Sequence, residues 1–195
     1  MTDSAHFSED SIIDLALKGD ESAYRHLLEK YKTFAFTIAL RIVPNREDAE
    51  EVAQDSFVKA FKALRGFNRA GKFSTWLYRI VYRTALTSIR RGRIELEYLE
   101  ESPDYEHAIP DEYANGFDKL IRQDQEKYIQ MAISKLSETD KLVVTLFYTC
   151  ENTIQEISAI TGWNPSTIKV RLHRARQKLH TELSELLSDE TTGLL

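Results

Sequence analysis

Five arginines and a tryptophan fall in the stretch FSTWLYRIVYRTALTSIRRGR, residues 73–93, with no carboxylate among them. At 100° per residue, Trp76, Arg79, Arg83, Thr87 and Arg90 align on one helix face at spacings of three and four. An indole, planar guanidinium groups and a hydroxyl on one face suit stacking on bases and pairing with phosphates. The opposite face, Leu77, Val81, Ala85 and Ile89 flanked by Tyr78 and Tyr82, is apolar and suited to burial. A solvated basic face on an ordinary amphipathic helix would show the same pattern. This stretch alone leaves both readings open.

A second basic set lies in TIQEISAITGWNPSTIKVRLHRARQKL, residues 153–179. Gly162 predicts a helix end, because glycine takes the left-handed conformation without steric cost. Asn164 then predicts a cap, and Pro165 suits the first position of a new helix. In that second helix Ile168, Leu172, Ala175 and Leu179 face inward. Ser166, Lys169, Val170, His173, Arg174 and Gln177 face outward, a mix that reads base edges and phosphates in a major groove. Two helices joined by so short a turn match a DNA-binding helix-turn-helix; a helical hairpin with a basic surface is the alternative. Trp163 is expected to plug the gap between the two helices.

Other chemistries find little support. The single cysteine, Cys150, cannot form an internal disulfide, and a cytoplasmic protein is expected. The five histidines (His6, His26, His107, His173, His180) show no ligand spacing with cysteines or carboxylates, so no metal or cofactor is predicted. There is no Gly-rich phosphate loop and no nucleophile elbow, and an enzyme is not expected. No apolar run suggests membrane insertion, and the acidic start MTDSAHFSED is unlike a signal peptide. The net charge of −5 and pI near 5.6 are low for a nucleic-acid binder, but the acidity is concentrated away from the two basic stretches.

Helices must position both sets. Periodicity of 3.6 residues runs through the chain and β-branched alternation is nearly absent, so an all-α fold is predicted. A short helix is expected over residues 8–18. A second, over 21–42, is capped by Asp20 and carries the stripe Tyr24, Leu27, Leu28, Tyr31, Phe34, Ile38 and Ile42. A third, over 46–64, is capped by Asn45, has Glu47 and Asp48 in its first turn, and buries Ala49, Val52, Phe57, Ala60, Phe61 and Leu64. The basic aromatic stretch is the fourth. From Glu95 to Asp118 come nine acidic side chains with no lysine or arginine, which reads as a flexible linker. A fifth helix is expected over 118–135 and a sixth from Ser137 to about Cys150, started by Ser137 with Asp140 in a capping-box arrangement. Thr153 and Glu156 form a full capping box for the seventh. The predicted organisation is two small helical domains, 1–93 and 117–188, joined by an acidic linker over 94–116.

The order of these motifs resembles the extracytoplasmic-function (ECF) group of bacterial sigma factors in the major sigma family. DAEEVAQDSFVKAF, residues 48–61, is similar to the polymerase-binding segment of the first domain. Residues 73–91 are similar to its promoter-melting segment, with FSTWLYRI nearly identical to the family pattern. TIKVRLHRARQKL is similar to the signature of the second domain. The resemblance implies core RNA polymerase and promoter DNA as partners, and adds an anti-sigma factor as a candidate. It implies polymerase contacts from Asp48, Glu51, Gln54 and Asp55. Contacts to the single-stranded minus-ten element would come from the loop 69–74 with Phe73, Trp76, Arg79, Arg83, Thr87, Arg90 and Arg91. Ser166, Thr167, Lys169, Val170, Arg171, His173 and Arg174 would read the duplex minus-thirty-five element. Trp76 has a second expected role, packing on the third helix. Four positions depart from the family pattern. Asp55 replaces Glu, Arg83 replaces Asn, Thr87 replaces Asp or Asn, and Val170 replaces a small polar residue. The competing functional readings are a polymerase-independent helix-turn-helix regulator and a helical enzyme or nuclease.

Overall fold

Helix ends in this chain are set by side chains that satisfy the first free amides. The computed structural model describes residues 8–96 and 128–193, and among these every regular element is helical. Helix α1 spans Glu9–Leu17, where the Ser8 hydroxyl accepts from the Ser11 amide. Helix α2 spans Glu21–Leu40. Its cap Asp20 accepts from the amides of Ser22 and Ala23, and the Ser22 hydroxyl and these amides hold its carboxyl below the usual range. Helix α3 spans Arg46–Ala63 and is capped by Asn45, which accepts from the Asp48 amide at 2.8 Å. A 3₁₀ turn, Leu64–Gly66, leads into the loop before α4, Phe73–Leu96. The second set comprises α5, described over 128–134, then α6 (Glu138–Val144), α7 (Ile154–Thr161) and α8 (Pro165–Gly193). The expected linker and the start of the expected fifth helix lie outside the described residues. The helices form two compact units, α1–α4 and, apart from residues 159–161 at the end of α7, α5–α8.

In the first unit α2, α3 and α4 pack on one another, with α1 against α2. The stripe of α2 differs from the expected one. Ala23, Ala35 and Ala39 are buried with Leu27, Tyr31 and Ile38, whereas Tyr24, Leu28 and Phe34 sit half-buried at the rim and Ile42 lies past the helix end. Small residues at the crossing points let neighbouring helices approach; the larger rings cover the margins. Above α2 an aromatic cluster closes the core: Tyr31 and Phe73 at 5.5 Å between ring centroids, Phe67 and Phe73 at 5.6 Å, Phe67 and Trp76 at 5.4 Å. Burial, and then the Glu9 carboxylate that accepts its hydroxyl, push the Tyr31 phenol far above its ordinary pKa.

In the second unit, Leu136, Val144 and Ala175 pack together with Leu179 at their edge, and Leu146, Ile157, Ile160, Ile168 and Leu172 are buried. The expected sixth helix does not run uniformly to Cys150. It changes at Thr145 into a π-helical turn, Thr145–Thr149, in which the Cys150 amide reaches back to the Thr145 carbonyl at 2.9 Å. The Leu146 carbonyl accepts instead from both the amide and the side chain of buried Asn152, each at 3.0 Å. Cys150 is half-buried, and that burial pushes its thiol up to about 12, which makes it a poor nucleophile. Helix α8 runs to Gly193, because neither glycine nor proline interrupts it before that residue.

Candidate nucleic-acid and protein interfaces

The acidic candidates lie on α3. Glu51, Gln54 and Asp55 are exposed, opposite the buried Val52, Ala53, Ser56 and Phe57. Asp48 is half-buried and occupied at the helix start, where the Asn45 side-chain amide donates to its carboxylate at 3.0 Å. Lys59 lies 3.9 Å from Asp55, a loose pair that leaves the carboxylate available. The same face continues to Val58, which is 51% exposed. The sequence stripe omitted Val58, although its position six residues after Val52 turns it away from the core.

Helix α4 offers a narrow strip. Arg79, Arg83, Thr87 and Arg90 are exposed, as the helix phase predicted, and Arg91 is exposed beside them. On both sides of them Leu77, Tyr78, Val81, Tyr82, Thr84 and Ala85 are buried against the neighbouring helices. Thr87 donates its hydroxyl to the Arg83 carbonyl at 2.9 Å. Two expected members behave differently. Phe73 is only 2% exposed, enclosed by Tyr31, Phe67 and Trp76, so it is a core residue and presents no face to a ligand. Trp76 is half-buried, with its ring against Phe67 in the loop and Phe73 at the start of its own helix.

The loop before α4 holds its own anchor. Arg69 has φ +58°, and its guanidinium pairs with Asp14 on α1. The hydrogen bond that the guanidinium donates to Asp14 raises the Arg69 pKa further above its usual value. The Asn68 carboxamide accepts from the Ala70 amide at 3.1 Å, bridging across Arg69. Nothing in the sequence spacing of Asp14 and Arg69 signals this pairing.

The second unit carries the helix-turn-helix geometry. Gly162 ends α7 with φ +79°, and its amide donates to the Ser158 carbonyl at 2.8 Å. Asn164 accepts from the amide and hydroxyl of Ser166 at 3.0 and 2.9 Å, which starts α8 as predicted. Ser166, Thr167, Lys169, Val170, His173 and Arg174 are exposed, above the buried stripe Ile168, Leu172 and Ala175. Arg171 is the exception. It donates to the Asp140 carboxylate at 3.0 Å and lies 5.4 Å from the ring centre of half-buried Trp163, so it braces the helix from behind. Asp140 is free to take it because its side chain makes no full capping box. The Ser137 hydroxyl accepts from the Asp140 amide and donates to its carboxylate, whereas Glu156 reaches back to the Thr153 amide at 2.7 Å. One methylene fewer leaves the second oxygen of Asp140 for Arg171.

Among the described residues no group of histidine, cysteine or carboxylate side chains is arranged to hold a metal, and no helix is long and apolar enough to cross a membrane.

Comparison with known proteins matches both units. The family model for Sigma-70 region 2 covers residues 27–94, and that for Sigma-70, region 4 covers residues 126–179. The chain is 30% identical over 175 residues to the ECF RNA polymerase sigma factor SigW of Bacillus subtilis (strain 168), spanning 87% of this chain and 93% of that one. It is 27% identical over 187 residues to the RNA polymerase sigma-H factor of Pseudomonas aeruginosa, spanning 93% and 96%. The sigma factor RpoE of Bartonella quintana, solved with the anti-sigma factor NepR, shares the fold with a TM-score of 0.67 at 20% identity, over 83% of this chain and 96% of that one. CnrH, solved with the cytosolic domain of CnrY, shares it with a TM-score of 0.57 at 21% identity, over 89% and 96%.

Proposed function

The chain belongs to the ECF group of RNA polymerase sigma factors, and on that premise we propose that three exposed helix faces divide its work. Glu51, Gln54 and Asp55 on α3 dock on a basic surface of core polymerase, with Val58 adding an apolar contact at the end of the same face. Arg79, Arg83, Thr87, Arg90 and Arg91 on α4, with the edge of Trp76 and the preceding loop, hold the minus-ten strand once it is unpaired. Ser166, Thr167, Lys169, Val170, His173 and Arg174 on α8 enter the major groove of the upstream element. The domain division runs accordingly, residues 1–93 for polymerase and minus-ten and 117–188 for minus-thirty-five, with 94–116 between them. The observation that carries this reading is the segregation of exposed charge. Carboxylates occupy the first half of α3, whereas the strip on α4 and the outer face of α8 are basic, so one partner is met by acid and the other by base.

The physics suits each task. Guanidinium groups pair with phosphates, and an unstacked base needs stacking or hydrogen-bonding partners that offset the loss of its neighbours. Nucleotidyl transfer belongs to the polymerase, and acting with it the protein works in the cytoplasm. An anti-sigma partner is a further expectation, since the RpoE neighbour was solved with an anti-sigma factor.

Gel filtration with core polymerase, paired with transcription from a promoter library, tests the division. Glu51→Ala with Gln54→Ala is expected to abolish co-elution while leaving duplex binding by the full chain intact. Lys169→Ala with Arg174→Ala is expected to do the reverse. Equal loss of both activities in either variant contradicts the assignment.

A further inference from the structure

The loop between α3 and α4 puts a left-handed backbone on an arginine rather than on its glycine. Gly71 lies two residues away, yet the positive φ falls on Arg69, at +58°. A residue with a Cβ takes this conformation only when its surroundings over-determine it. Three contacts supply that here. Asn68 accepts from the Ala70 amide across Arg69. Phe67 and Phe73, at either end of the segment, lock into one aromatic cluster with ring centroids 5.6 Å apart. At the apex, the Arg69 guanidinium is tied to Asp14, 55 residues earlier in the chain.

Asp14 is itself held firmly. Helix α1 buries Ile12, Ile13 and Ala16, and Glu9 at its start binds Lys30 at 2.5 Å and the Tyr31 hydroxyl on α2. The loop therefore hangs from a fixed strut. That strut lies outside residues 27–94, the span matched by the family model, so the tether is supplied by a part of this chain that the family pattern does not include.

We propose that Asp14 is a positioning residue which, through Arg69, presets the α3–α4 loop to receive an unpaired base of the minus-ten element. The inference rests on the reading that this loop and α4 face the opened strand. Arg69 then acts by holding shape rather than by neutralising a phosphate, since its guanidinium is already paired with a carboxylate. A strained φ costs more than one exposed ion pair returns, so the tether offsets only part of the strain and its loss shifts the loop.

The test uses the full chain assembled with core polymerase on promoters bearing an abasic site at each non-template position of the minus-ten element in turn. Wild type is expected to lose open-complex formation at one or two positions. Asp14→Asn is expected to lower open-complex formation on the intact promoter about two- to five-fold, the scale of one exposed ion pair, and to flatten the abasic profile. Arg69→Gly, which accepts the positive φ but carries no tether, is expected to match it. The double variant is expected to be no worse than either single one, with the thermal midpoint unchanged in all three. Multiplying effects in the double variant, an equal Asp14→Asn defect at every abasic position, or no defect at all would each overturn the proposal. A wild-type profile with no sensitive position would instead overturn the minus-ten reading of the loop, and the proposal with it.

Discussion

The two basic helices, α4 and α8, solve opposite packing problems. Helix α4 is wedged between α2 and α3, so residues on either side of its basic strip are buried and only a line of side chains remains outside. Helix α8 buries a single stripe, Ile168, Leu172 and Ala175, and leaves most of its circumference exposed along the recognition segment. A narrow strip beside an aromatic cluster fits a single strand laid along it. A wide basic cylinder fits a groove. On the proposed division, two helices of similar charge would be separated in function by how much of each the core consumes.

Phe73 gives the sharpest way to break that contrast. Because it is buried among rings, Phe73→Ala is expected to cost about 3–5 kcal/mol of stability, read by denaturant unfolding of the full chain. A residue lying on the ligand side would change it by less than about 0.5 kcal/mol. Salt dependence tests the two surfaces directly. Lys169→Ala is expected to reduce the slope of log affinity against log salt by about 0.9 on duplex upstream DNA, and Arg83→Ala by about 0.7 on a minus-ten single strand. Equal slopes for both helices on both probes would erase the distinction. The smallest effect belongs to Arg171. Its removal is expected to cost less than about 1 kcal/mol and to weaken duplex binding a few-fold with no change in slope, because it braces α8 rather than meeting a phosphate. A slope change on Arg171→Ala would return it to the contact surface.

Much of this was readable from residue order, because local chemistry sets it. Asp20, Asn45, Ser137, Thr153 and Asn164 are all caps where expected, and Gly162 has the left-handed turn its position called for. Helix phase placed Glu51, Arg79, Arg83, Lys169 and Arg174 outside. What escaped were contacts between residues distant in sequence. The burial of Phe73 depends on Phe67 and Tyr31, the engagement of Arg171 on Asp140, and the fixing of the α3–α4 loop on Asp14. The π-helical turn after α6 was equally hidden, since it arises where Asn152 takes the Leu146 carbonyl from the helix. Helix phase also misjudged part of α2, where Ala23, Ala35 and Ala39 are buried beside Leu27, Tyr31 and Ile38 while Tyr24, Leu28 and Phe34 stay at the rim.

The hydrogen bond from Thr87 to the Arg83 carbonyl has a consequence for which bases the strip can tell apart. The hydroxyl proton is spent inside the helix, so anything approaching Thr87 from solvent meets only oxygen lone pairs. Arg83, one turn earlier, is its converse and offers protons alone. Along the helix axis the strip therefore holds one acceptor, Thr87, between the donors Arg83 and Arg90. A nucleotide seated against Thr87 would be chosen for an exocyclic amino group, and one against Arg83 for a carbonyl or ring nitrogen. A side-chain amide in either place would be indifferent to that distinction, whereas this pair has direction.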